Sequence, residues 1–207
     1  KNKINRAGLE LEVIESVNVH EDIKLGLTSR DKYIENYKIT LKNLASEGIK
    51  VVCYNFMPVF DWLRSDLAEE LEDGSTTMAY DEEWINKTDP IKLVEEFDKG
   101  SQGFSLPGWE PERLSELKDI MNKYESITEE DLFKNLKYFL EAILPVCKKN
   151  DIKMAIHPDD PPWPIYGLPR IMTGKENIRK LMNMVDNPYN GLSLCSGSLG
   201  SNPENSV

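Results

Sequence analysis

The segment Ile49–Phe56, IKVVCYNF, restricts what this chain can fold into more than any other stretch. It is continuously apolar and rich in β-branched residues, the pattern of a strand covered on both faces rather than one shared between core and water. The helix before it is equally clear. In DKYIENYKITLKNLASEG, which begins at Asp31, the residues Tyr33, Ile34, Tyr37, Leu41 and Leu44 recur at helical spacing, and Gly48 closes the pattern. Almost no connection separates this helix from the strand. Upstream, Leu9–Val17 alternates β-branched with charged residues and reads as a strand, followed by a loop from Asn18 to Arg30. Strand, helix and strand with short links form a βαβ unit, which implies parallel strands and a right-handed crossover.

The same alternation resumes later. Thr128 opens TEED, a capping-box pattern, and the helix it starts carries Leu132, Phe133, Leu136, Phe139, Leu140, Ile143 and Leu144 as one apolar stripe. Pro145 falls inside that pattern, which ends near Asn150. A strand over Ile152–Ile156, a proline-rich loop, a helix over Gly174–Val185 and a short strand over Gly191–Cys195 complete the order. Between the two halves, residues 58–126 depart from it. FDWLRSDL leads into an acidic, Gly-containing stretch, a weak helix over 89–99, the loop GSQGFSLPGWEPE, and a helix from Pro111 to about Tyr124. That is longer than a βα connection needs, so it reads as a mostly helical insertion, a lid or an oligomer contact. The chain is therefore expected to be an α/β fold in the order β-α-β-insert-α-β-α-β.

At 207 residues the chain is long enough for one sizeable core. Its net charge of −11 and isoelectric point near 4.8 oppose binding to nucleic acid or anionic membranes and leave room for a divalent cation. No apolar run is long enough for a bilayer and no amino-terminal signal is visible, so a cytoplasmic protein is expected. Cys53, Cys147 and Cys195 are odd in number and widely spaced, which fits reduced thiols, with Cys53 in its strand and Cys147 on the helix stripe belonging to the core. KNKINRA at the start reads as the last turns of a helix stopped by Gly8, while Ser196–Val207 trails off after the final strand. An internal piece of a longer protein is the expectation.

In a parallel α/β fold the carboxyl ends of the strands share one face, where sites are built. Ser16 and His20 follow the first strand, Asn55 the second, His157, Asp159 and Asp160 the third, and Cys195, Ser196 and Ser198 the fourth. The imidazole of His157 and the thiol of Cys195 suit a first-row divalent ion. The plainer alternatives are a histidine bonded within its loop and a small buried hydrophobe. Asp159 and Asp160 lie on a backbone stiffened by Pro158, Pro161, Pro162 and Pro164. They either orient ligands and bind substrate hydroxyls or decorate a solvated turn. His20 either hydrogen-bonds substrate or caps the helix after it. Trp62, Arg64, Trp109 and Trp163 read as packing or oligomer residues, and neither a phosphate-binding glycine loop nor a nucleophile elbow is present.

Five segments together carry a family likeness: ESVNVHEDIK (15–24), VVCYNFMPVFDWLRSDL (51–67), LPGWE (106–110), MAIHPDDPPWPIYGLPRI (154–171) and GLSLCSGSLGSNPEN (191–205). They resemble the D-mannonate dehydratases of the hexuronate pathway. The resemblance implies a TIM barrel related to the xylose-isomerase-like enzymes, of which residues 1–207 would form an incomplete domain with half the strands of a closed (β/α)8 barrel. It implies a divalent metal, Mn²⁺ with Fe²⁺ as the alternative, and dehydration of D-mannonate to 2-keto-3-deoxy-D-gluconate. On that basis His157 and Cys195 match two metal ligands. His20, Asn55, Asp159, Asp160 and Ser196 become substrate contacts. The remaining ligands and the proton-transfer residues belong to later strands. A homo-oligomer is implied for the full-length protein, with no nucleic-acid or membrane partner. The alternative is a truncated, non-catalytic piece, and a chain with half a metal site is expected to be inactive by itself.

Overall fold

Four parallel strands organise the computed structural model, which describes residues 1–93 and 117–207. They are β1 (Val13–Glu15), β2 (Val51–Tyr54), β5 (Lys153–Ile156) and β6 (Asn190–Leu192), hydrogen-bonded in that spatial order. The register pairs Glu15 with Cys53, Tyr54 with Ile156, and Ile156 with Leu192, so the carboxyl ends lie level. The parallel α/β arrangement anticipated from sequence is therefore present. The sheet is open among the described residues, with half of the eight strands a closed barrel requires.

The described helices are α1 (Asn2–Arg6), α2 (Glu21–Lys24), α3 (Arg30–Ser46), α4 (Glu82–Lys87), α5 (Leu117–Tyr124), α6 (Glu129–Asn150), α7 (Lys175–Met184) and α8 (Ser196–Gly200). The capping box of α6 forms as the sequence requires. Thr128 Oγ1 accepts from the Asp131 N–H at 3.2 Å, and Asp131 Oδ2 accepts from the Thr128 N–H at 3.1 Å. Every apolar residue of its stripe from Leu132 to Leu144 is buried, as is Cys147, and the helix continues through Pro145. At about 1.5–3 kcal/mol for each large side chain, as an upper figure, this stripe is a main source of stability. Phe139 joins three elements: its ring meets Tyr37 of α3 edge-on at 4.9 Å and Tyr54 of β2 at 6.1 Å.

Several expectations are corrected. β1 is three residues long, because it pairs only along Lys50–Cys53 and has no second neighbour among the described residues. The segment after β1 forms α2 instead of a plain loop. The inserted region holds the helices α4 and α5 among its described residues and also a pairing that was not anticipated: β3 (Asp66–Glu70) and β4 (Thr76–Ala79) form an antiparallel hairpin. Its turn is closed by Leu71 N–H donating to the Ser75 carbonyl at 2.8 Å, with Gly74 at φ 80°. Both faces of the hairpin are largely exposed, so no apolar alternation betrayed it. The chain after Cys195 does not trail off. It forms α8, and Asn205 then donates to the carbonyls of Thr173 and Leu199, each at 2.9 Å. Trp109, the loop GSQGFSLPGWEPE, the far end of the helix expected over 89–99 and the start of the helix expected from Pro111 lie outside the described residues.

Candidate functional site

Level strand ends bring Ser16, Asn55 and His157 side by side, and Cys195 joins them from beyond β6. All four line one cleft of about 470 Å³ at the carboxyl face of the sheet.

His157 is fixed at both ends of its residue. Its N–H donates to the Tyr54 carbonyl at 2.7 Å, and its Nδ1 lies 2.7 Å from the Pro158 carbonyl oxygen. A carbonyl only accepts, so Nδ1 carries the hydrogen and the lone pair is left on Nε2. Nε2 faces Glu15 Oε1 at 3.9 Å. The Cys195 thiol is half-buried and caps α8, its Sγ accepting from the Ser198 N–H at 3.5 Å and lying 3.3 Å from Ser198 Oγ. An imidazole nitrogen with a free lone pair and a thiol on one rim fit the donor preferences of a first-row divalent ion. Two donors fall short of a closed site, and among the described residues no group of three His, Cys, Asp or Glu is placed to hold a metal. The other thiols are core, as expected. Burial pushes Cys147 up to about 12 and also raises Cys53.

The two adjacent aspartates part company. Asp160 lines the cleft, where Arg64 grips it with both ends of the guanidinium, Nη1 to Oδ1 at 2.7 Å and Nη2 to Oδ2 at 2.9 Å. Asp159 is fully buried outside the cleft. Its Oδ2 accepts from the N–H groups of Ile171 at 2.7 Å and Met172 at 2.9 Å, and its own N–H donates to the Met172 carbonyl at 3.0 Å. It thus closes the neck of the proline-rich loop. Burial raises its carboxyl, and the nearby Arg170 charge opposes that rise. Arg170, itself buried, donates to the Phe60 carbonyl at 2.9 Å and so ties this loop to the one after β2.

His20 and Ser196 also lie elsewhere than the strand-end argument placed them. His20 is the N-cap of α2: Nδ1 accepts from the Asp22 N–H at 3.1 Å, and the ring stacks on Tyr33 at 3.4 Å. That is the capping alternative left open by the sequence. Ser196 is the exposed first residue of α8, and Ser198 one half-turn on reaches the cleft in its place. Helical periodicity, which takes over at Cys195, is what separates the two serines.

Beneath the cleft lies a buried ion pair. Lys24 Nζ donates to Glu21 Oε1 at 2.9 Å and to the Met57 carbonyl at 2.7 Å. Glu21 Oε2 accepts from Tyr124 Oη at 2.5 Å and from the Val59 N–H at 3.4 Å. Val59 has φ 62°, and the Phe60 N–H donates back to the Pro58 carbonyl at 2.7 Å, a γ-turn around a β-branched residue. This strained turn directs Asp61, Trp62 and Arg64 to the cleft wall, which Met78 of β4 completes. Sequence reading passed over Glu15, although it is the last residue of β1 and the strand-end rule reaches it. Arg64 and Met78 carried no such signal.

The D-mannonate dehydratase (UxuA) family model matches residues 1–207. Mannonate dehydratases of Thermotoga neapolitana, Brachyspira hyodysenteriae and Geobacillus thermodenitrificans are 62%, 60% and 58% identical over 207 residues. The chain spans 58%, 58% and 56% of their respective lengths. The crystal structure of mannonate dehydratase from Streptococcus suis serotype 2 superposes with a TM-score of 0.86 at 47% identity, covering 100% of this chain and 53% of that one.

Proposed function

Because this chain belongs to the D-mannonate dehydratase family, we propose that the complete protein removes water from D-mannonate to give 2-keto-3-deoxy-D-gluconate. The observation that carries this reading is the match along every residue to relatives that bear that name at 56–62% identity. A divalent ion, Mn²⁺ with Fe²⁺ as the alternative, would be held here by His157 Nε2 and Cys195 Sγ. When bound it supplies Lewis-acid stabilisation of developing oxyanion charge. The protein's own contribution is positioning. The Pro158 carbonyl sets the His157 tautomer, Asn55 and Asp160 offer polar atoms to substrate hydroxyls, and Trp62 and Met78 give one side of the cleft an apolar surface. His20, Asp159 and Ser196 gain no support as substrate contacts from their positions as cap, loop neck and helix start. Hexuronate catabolism in the cytoplasm and assembly into a homo-oligomer belong to the same reading.

The test is turnover. The complete protein, stripped with a chelator and reloaded with Mn²⁺, is expected to form the keto-deoxy acid, detected by NMR, only in the reloaded state. Residues 1–207 alone, with two donors on the rim among the described residues, are expected to form none. No product from the reloaded complete protein would refute the assignment.

A further inference from the structure

The cleft is short of positive charge. Glu15, Asp61 and Asp160 line it, and Arg64 is the one arginine or lysine among the described residues that does so. A sugar acid is an anion at neutral pH. Apart from the divalent ion proposed above, a chain of net charge −11 offers it little attraction except at a built cationic side chain.

Arg64 is built for that purpose in its hydrogen bonding. A guanidinium carries five N–H groups in a planar fork. Nη1 donates to the Leu63 carbonyl at 2.7 Å and to Asp160 Oδ1 at 2.7 Å, and one Nη2 hydrogen goes to Asp160 Oδ2 at 2.9 Å. The Nε hydrogen and the second Nη2 hydrogen have no acceptor among the described residues. These two project from the same edge of the fork, side by side, in the spacing that receives both oxygens of one carboxylate. Asp160 and the Leu63 carbonyl hold the fork still, so the open edge is pre-oriented and loses little freedom on binding. The arginine is 21% exposed, buried enough for its bonds to count and open enough to be reached.

Resting on the dehydratase reading above, we propose that Arg64 is the residue that recognises the substrate carboxylate, with Asp160 as the residue that positions it. The competing view makes the Arg64–Asp160 pair a strap between the loops after β2 and β5 and nothing more. The two views differ in how they treat substrate charge.

The experiment measures, in the complete Mn²⁺-loaded protein, KM for D-mannonate and Ki for its uncharged amide, D-mannonamide, in wild type, Arg64→Gln and Arg64→Lys. Loss of a bidentate charged pair is expected to raise KM for D-mannonate about 10- to 100-fold in Arg64→Gln. Ki for the amide is expected to stay within about threefold, and Arg64→Lys, which keeps the charge without the fork, is expected to fall between. Equal weakening of acid and amide would show a strap only and overturn the proposal, as would an unchanged KM. A wild-type protein that does not turn over D-mannonate would overturn the dehydratase reading and this proposal together. Wild-type turnover with either adverse Arg64 result overturns the proposal alone.

Discussion

Glu21→Ala is the most informative single perturbation of the scaffold. The Lys24 side chain is 2% exposed and the Glu21 side chain 12%, so solvent screens the pair little. Removing the carboxylate leaves a buried ammonium with the Met57 carbonyl as its remaining partner among the bonds described above, and takes one acceptor away from Tyr124 Oη and from the Val59 N–H. Breaking a buried pair in this way costs about 3–5 kcal/mol. Urea unfolding of the complete protein, followed by tryptophan fluorescence, reads this quantity. The double variant Glu21→Gln with Lys24→Met removes both charges and keeps an amide oxygen for Tyr124 Oη, so its cost reduces to the Met57 carbonyl deprived of its Lys24 donor, about 1–3 kcal/mol. The double variant is therefore expected to lose less than the sum of Glu21→Gln and Lys24→Met. Additive costs, or a Glu21→Ala loss below about 1 kcal/mol, would refute the argument that this pair is a coupled support.

His157→Ala in the complete protein is expected to abolish bound metal, and unchanged metal content by elemental analysis would remove His157 from the site. In metal-free protein, a thiol-specific reagent with peptide mapping is expected to label half-buried Cys195 quickly. Cys53 and Cys147 should react only after denaturation, since both are buried and burial has raised both thiols. Fast labelling of Cys147 in the folded state would contradict the packing of α6.

The sequence by itself determined the parallel α/β scaffold, because each of its signals is local. A continuous apolar run marks a strand covered on both faces, a stripe at helical spacing marks α3 or α6, and Thr128–Asp131 states the start of α6 in four residues. The same logic placed Asn55, His157, Asp160 and Cys195 at one rim, since level register turns strand ends into neighbours. What depends on distant partners was not legible. Nothing in Asp159-Asp160 says that one carboxylate is spent on the backbone of Ile171 and Met172 while the other meets Arg64, 96 residues away in the chain. Lys24 and Glu21 look like surface charges on a short helix until the Met57 carbonyl and Tyr124 close over them. The β3–β4 hairpin, exposed on both faces, has its identity only in its own pairing. Local pattern reports which face of an element is dry. Which buried charge meets which partner is a property of three-dimensional proximity, and only the tertiary structure decided it.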